Sequence, residues 1–275
     1  MTIMPTLHDI REAHSWKRDY ERYLPVSRFF FRPVGFLITW LAIRVGFTSE
    51  AVSWLSGVVG LAGCVLLVIG QPRYLPVGIG LLFLFNLLDC VDGSIARTMK
   101  TENPHGRFLD SVCGYVVDLI FWGVIGVMAF HHRSLLHWPD GFGHGNLFWL
   151  FLGLTTSYLF VYLGYIERTF DELLRPYWER IETPHSTMIV DSGAAGNAAD
   201  PRNSTRLWLR VINNNLRVRE THYVLLLCAF CLHVIDLLLF FYFWYYLAVD
   251  IALVVTYSRR GRRIKERLSI NGRKT

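Results

Sequence analysis

Three features of the chain predict an all-α, polytopic membrane fold. Apolar residues fill 52% of its 275 positions and aromatic residues 15%, and they gather in runs instead of spreading evenly. Several runs reach the roughly 20 residues that a helix needs to cross about 30 Å of hydrocarbon. The basic residues are confined to segments that can all lie on one side of a bilayer. The reading is six transmembrane helices preceded by an N-terminal amphipathic helix lying in the interface.

The chain divides into three parts: an N-terminal segment with the interfacial helix over 1–47, a transmembrane domain over 48–258, and a basic tail over 259–275. Residues 1–32 are polar and carry Lys17, Arg18, Arg22, Arg28 and Arg32 among aromatics. No apolar core of a cleavable signal is visible there. Pro33 opens a short apolar segment, 34–47, broken by Arg44. It is too short to span, so a helix lying in the headgroup layer fits it. Thr48 or Ser49 then offers an N-cap. Spans are expected over 51–70, 74–98, 108–130 and 146–168. The turn Gln71-Pro72-Arg73 separates the first two.

A polar insertion covers 169–221, and its middle, Asp191 to Asp200, lacks bulky residues. The apolar stretch 222–257 is too long for one crossing and is split near Val234 to Leu237 into two linked spans, the first of them short. Asp236 then marks the turn, and Asp250 packs against a neighbouring helix or lines a cavity. If the Asp89 end of the second span faces the cytoplasm, only Arg73 and Arg133 of the 28 Lys and Arg lie outside. Both termini are then cytoplasmic. The five cysteines (64, 90, 113, 228 and 231) lie in or beside apolar runs and read as reduced, buried thiols. His131, His132, His137 and His144 read as polarity of an outer loop, and His222 and His233 as packed or interfacial.

The chemistry concentrates between Asp89 and Asp118. Asp89 and Asp92 are three residues apart and share one helical face. Asn103-Pro104-His105-Gly106 breaks the chain, and Asp110 opens the next apolar run. Carboxylates at membrane depth are costly, and their presence argues for function. Facing one another, they suit a hard divalent cation, Mg²⁺ or Mn²⁺. Gly93 leaves the backbone open to a ligand, Ala96 keeps the next turn small, and Arg97 offers a fork of donors to phosphate oxygens.

Asp89-x-x-Asp92-Gly93-x-x-Ala96-Arg97, eight residues, then Gly106-x-x-x-Asp110 resembles the signature of the CDP-alcohol phosphotransferases (phosphatidyltransferases), integral-membrane enzymes of phospholipid synthesis. The resemblance implies that Asp89, Asp92 and Asp110 hold metal and that Gly93, Ala96, Arg97 and Gly106 bind the CDP group. It also implies attack of an alcohol on a CDP-alcohol with release of CMP, and it suggests a homodimer. The donor it favours is CDP-diacylglycerol. A soluble CDP-alcohol given to a lipid acceptor is the alternative.

The family pattern has a further aspartate where this chain has Gly114. The next carboxylate, Asp118, lies about 6 Å further along the axis. Three readings stand: Asp118 is the base for an acceptor bound deeper, substrate or water fills the space beside Gly114, or the chain binds CDP-lipid without catalysis. Arg206, Arg210, Arg217 and Arg219 cluster before the fifth span. Arg206 and Arg210 are candidate ligands of an acceptor phosphate, and the competing reading is basic charge meeting anionic headgroups. A membrane prenyl transferase fits less well, because it calls for two distant aspartate-rich motifs. The net charge of +6 needs no nucleic-acid partner. A bacterial inner membrane, with the site facing the cytoplasm, is the expected location.

Overall fold

A computed structural model of the chain describes residues 4–15, 23–131, 147–182, 208 and 211–271. All regular structure among these residues is helical. The short helix α1 spans Leu7–Glu12 and starts at a capping box: Asp9 N donates to Thr6 Oγ1, and Thr6 N donates to Asp9 Oδ2. The bonds from Thr6, the backbone one foremost, hold the Asp9 carboxyl below its ordinary value.

A π-helical turn, Ser27–Phe31, leads into α2, Arg32–Val45, the predicted interfacial helix. Its amphipathic character shows in the register. Gly35, Thr39 and Ile43 are buried at steps of four, while Leu37, Leu41 and Val45 are exposed. Arg44 interrupts the apolar run without cost, since its guanidinium lies 3.8 Å from the Trp40 ring centroid. The helix stops at Gly46, whose φ of 88° lets the Phe47 and Gly46 N–H groups bond back to the carbonyls of Ala42 and Ile43.

Helix α3, Ser49–Ile69, is capped by Thr48. Its outward face shows Trp54, Val58 and Val65, the apolar exposure that a lipid environment accepts. Helix α4 is Leu75–Thr98 and α5 is Pro104–His131. The break expected at 103–106 is shorter than the sequence suggests. Asn103 accepts from Gly106 N at 2.7 Å, so Asn103 caps α5 and Pro104 occupies its first position. Gly106 therefore lies inside the first turn of α5.

Helix α6, Leu147–Leu173, bends at Leu174 into the short α7, Arg175–Glu182. Helix α8, Arg219–Cys231, turns through Leu232–Val234, with His233 at φ 56°, into α9, Ile235–Asn271. The expected split of the last apolar stretch is present, and Asp236 sits in the first turn of α9. Five helices of the described residues are long and apolar enough to cross a membrane: α3, α4, α5, α6 and α9. The predicted fifth span, α8, has 13 residues and so rises only about 20 Å. The basic tail is not a separate segment at its start, since α9 continues through it to Asn271. Arg260 on that extension lies 5.2–5.8 Å from the ring centroids of Phe170, Trp178 and Tyr257, which ties α9 to α6 and α7.

Helix α3 is the hub, packing along both α4 and α5, while α4 and α5 touch each other little. Gly60 permits this: a Cβ there would meet Val117 at 2.7 Å and Phe85 at 3.0 Å. Helix α6 packs on α5, and α9 on α6. The core between them is aromatic, with Phe85, Phe121, Trp122, Tyr223, Tyr242 and Tyr246 fully or nearly buried. This arrangement brings the start of α3, the end of α4, and the starts of α5 and α8 to one end of the bundle.

Candidate active site

That end carries the carboxylates. Asp89 and Asp92 come from the last three turns of α4, and Asp110 and Asp118 from α5. Because α4 and α5 are each held by α3 and not by one another, their facing side chains look into the space between the two axes. Asp89 and Asp110 are within direct reach of one another. Asp92, 2% exposed, is turned toward α3: its Oδ2 accepts from Ser53 Oγ at 2.5 Å, and its Oδ1 accepts from Gly93 N. The three predicted ligands therefore share one end of the bundle without closing about a single point. Among the described residues, only His8, Asp9 and Glu12, all exposed on α1, bring three ligand atoms within 4.8 Å of one another.

The largest departure from a bare carboxylate cluster is Arg219, the first residue of α8. Its Nε donates to Asp118 Oδ1 at 2.9 Å, its Nη2 to Asp118 Oδ2 at 2.9 Å, and its Nη1 to Asp89 Oδ2 at 3.1 Å. The guanidinium lies against Gly114, where a Cβ would stand 2.5 Å from Nη2. It also sits 5.5 Å from the Phe85 ring centroid. Asp118 is thus a partner of Arg219, with both oxygens engaged.

Arg97 lies across Gly93, where a Cβ would meet its Nη2 at 3.0 Å. Its Nε and Nη2 donate to Nε2 of His14, at 3.2 and 2.9 Å. His14 is 3% exposed, and its Nδ1 donates to the Ile10 carbonyl at 3.1 Å, which leaves Nε2 to accept. Ser94 Oγ lies 3.1 Å from the same atom. The N-terminal segment therefore closes over the arginine of the motif. Ala96 is half-buried on the next turn.

Beside Asp118 opens a cavity of about 330 Å³, lined among others by Tyr115, Phe160, Gly164, Glu167 and Arg217. Arg217 Nη2 donates to Glu167 Oε1 at 2.5 Å on its wall. Asp250 is buried, and neither of its carboxylate oxygens has a hydrogen bond from the described residues. His222 is buried among Phe121, Trp122 and Tyr242, with Nε2 2.9 Å from both the Leu216 carbonyl oxygen and Tyr246 Oη. The packing role read for it is the one it has. All five cysteines are free thiols; Cys64 and Cys113 are buried and Cys90 half-buried, but Cys228 and Cys231 are exposed on α8, where the flank of a short helix faces outward. Arg206, Arg210, His132, His137 and His144 lie outside the described residues.

Two residues of the site escaped the sequence reading. Arg219 was one of four arginines ahead of an apolar run. The signal that could have singled it out is the small residue at 114, which leaves room for a large cation. His14 carries no sequence signal, because its place depends on how α1 docks.

The chemistry of the donors fits a divalent cation. They are oxygen-only and anionic, and Arg219 alone does not balance Asp89, Asp92, Asp110 and Asp118. The fold and this end of it are those of an all-helical membrane protein with an acidic cluster and an arginine lying over a glycine one turn on. Residues 46–190, just over half of the chain, match the family model of CDP-alcohol phosphatidyltransferase, and the chain belongs to that family. It is similar to the phosphatidylinositol phosphate synthases of Mycobacterium bovis and Mycobacterium tuberculosis. Each is 31% identical over 93 residues, which cover 34% of this chain and 42% of the relative. The match thus spans about two fifths of the length of these curated relatives.

Proposed function

We propose that the protein transfers a phosphatidyl group from CDP-diacylglycerol to a hydroxyl of a small polyol or polyol phosphate, releasing CMP, and that it needs Mg²⁺ or Mn²⁺ to do so. The observation that carries this reading is the acidic end itself: Asp89 and Asp110 in mutual reach on separate helices, with Asp92 one turn away and Arg97 over Gly93. Such a set suits a pyrophosphate and its counter-cation. Family membership narrows the pyrophosphate to a CDP-alcohol. The relatives' name points to an inositol phosphate as one acceptor to try.

Asp89, Asp110 and, with a change of rotamer, Asp92 would hold the cation, which supplies charge neutralisation at the pyrophosphate. Arg97 donates to donor phosphate oxygens from a fork that His14 keeps in place. Gly93 makes room for the Arg97 guanidinium above it, and Gly106 keeps the first turn of α5 free of a side chain. The acceptor oxygen bonds to the phosphorus bearing the diacylglycerol. The bond from that phosphorus to the oxygen of CMP breaks, the electron pair stays on CMP, and the hydroxyl proton passes to solvent. The cavity beside Asp118 is the acceptor's place, with Arg217 as its cation. The site faces the cytoplasm of a bacterial inner membrane, where a soluble nucleotide is released beside acyl chains, and two chains associate as a homodimer.

The test is CMP release by purified protein given CDP-diacylglycerol, Mn²⁺ or Mg²⁺, and a panel of alcohols including inositol phosphate, with lipid products read by mass spectrometry. Asp89→Ala and Asp110→Ala are each expected to abolish release. Undiminished release in both variants rules out this site.

A further inference from the structure

The family's signature has a carboxylate at the position of Gly114, and here a guanidinium occupies the space. Three observations connect the two. A Cβ at 114 would stand 2.5 Å from Arg219 Nη2, so Arg219 in this pose requires glycine. Asp118, one turn deeper, takes the guanidinium in a two-pronged grip, and Asp89, a predicted metal ligand, takes its third hydrogen bond. The pose is therefore built into the fold from three helices.

The charge count changes accordingly. Without a carboxylate at 114, and with Asp118 neutralised by Arg219, the carboxylates left for divalent cations are Asp89, Asp92 and Asp110. Asp89 already shares its charge with the guanidinium. With the Arg219–Asp118 pair neutral, two divalent cations (+4) against three carboxylates (−3) and the neighbouring Arg97 (+1) would leave about +2 in a partly desolvated cleft, whereas one divalent cation leaves about zero. Arg219 uses three of its five N–H groups on Asp118 and Asp89. One N–H on each of Nη1 and Nη2 remains for a phosphate oxygen.

We propose that the Arg219 guanidinium, seated in the space left by Gly114, supplies the positive charge that a second divalent cation would otherwise supply. The site then holds one divalent cation per chain, and Asp118 positions Arg219 in place of acting as a base. This deepens the functional reading above and rests on it.

The experiment counts bound Mn²⁺ by electron paramagnetic resonance on protein in detergent, without substrate, alongside CMP release. The wild-type chain is expected to bind one Mn²⁺. Arg219→Gln is expected to lose on the order of 100-fold in CMP release, as loss of one preorganised charge donor does. Arg219→Lys, which keeps the charge and loses the fork, falls between the two. The double variant G114D/R219Q is expected to bind two Mn²⁺ and to recover part of the release. Two Mn²⁺ on the wild-type chain overturns the proposal and leaves the functional reading standing, while no bound Mn²⁺ overturns both. Wild-type release by Arg219→Gln overturns the role of the arginine. If Arg219→Gln does not fold, the wild-type stoichiometry still decides.

Discussion

Ser53 Oγ donates to Asp92 Oδ2 across 2.5 Å, joining the second turn of α3 to the acidic end of α4 inside a buried environment. A hydrogen bond to a charged group contributes about 1.5–3 kcal/mol. Here it also fixes which way a predicted metal ligand points. Ser53→Ala should therefore act in two opposite ways. It lowers thermal stability, because Asp92 keeps only its bond to Gly93 N. It also frees the carboxylate to swing toward Asp89 and Asp110. The expected result is a lower Tm with Mn²⁺ affinity unchanged or raised. A several-fold weaker Mn²⁺ affinity would show that the Ser53-bound rotamer is itself the ligating one.

Chelation separates structure from chemistry. The carboxylates of Asp89 and Asp118 already have Arg219 as a partner, so the bundle does not depend on a cation for its fold. EDTA should abolish CMP release, lower Tm by no more than a few degrees, and be reversed by added Mn²⁺ or Mg²⁺. Cooperative unfolding on chelation would instead make the cation a structural element.

The sequence made the helical bundle legible because long apolar runs and one-sided basic charge follow directly from the membrane as solvent. The same holds for Asp89, Asp92, Arg97 and Asp110, where spacing on two adjacent helices carries the information. The turn between α8 and α9 was visible from length alone. What could not be read was long-range docking. Arg219 reaches Asp118 across 101 positions of sequence and Asp89 across 130, and His14 reaches Arg97 across 83. No local periodicity encodes such pairs. The limits of α5 and α9 were missed for a different reason. Asn103 and Pro104 look like a break but serve as a cap and a first residue, and the basic tail looks like a terminus but continues the helix.

His14 gives a prediction about the donor. Its Nε2 receives Arg97, and its ring packs edge-on against Phe36 at 5.3 Å. His14→Ala leaves the guanidinium over Gly93 without that acceptor and free to sample other rotamers. KM for the CDP-alcohol should rise roughly tenfold, which is about 1.4 kcal/mol of positioning, with a smaller change in kcat. The acceptor's KM should not move. Equal changes in both KM values would mean that α1 supports the bundle as a whole and not Arg97.

The cavity beside Asp118 makes the complementary prediction. Arg217 and Glu167 are paired on its wall, and the Arg217 side chain is 20% exposed, so the guanidinium can turn toward an anionic acceptor. Arg217→Gln should raise the KM of a phosphorylated acceptor by tenfold or more while leaving the KM of the CDP donor near wild type. A neutral polyol should lose far less, because a charged phosphate depends on the cation and a hydroxyl does not. If both acceptors suffer equally, the arginine holds α6 in place and does not read the phosphate.

A backbone-to-backbone helix contact away from the site predicts an effect on stability alone. Gly126 of α5 and Gly153 of α6 face one another. A Cβ on Gly126 would stand 2.7 Å from the Trp149 carbonyl oxygen and 2.9 Å from Gly153 Cα, and a Cβ on Gly153 would stand 2.7 Å from Gly126 Cα. The atoms met are backbone, which cannot rotate aside. Small residues at such crossings let helices approach closely where no water-driven force brings them together. Gly126→Ala should cost about 1–3 kcal/mol through forced separation of α5 from α6, read as a lower Tm in detergent. Gly153→Ala should cost the same, and the double variant should cost less than the sum, since one separation relieves both clashes. Mn²⁺ binding should survive in the folded fraction, because α3 and not α6 holds α4 and α5 in register at the acidic end. Loss of Mn²⁺ binding from folded Gly126→Ala protein would show instead that the α5–α6 crossing sets where Asp110 stands.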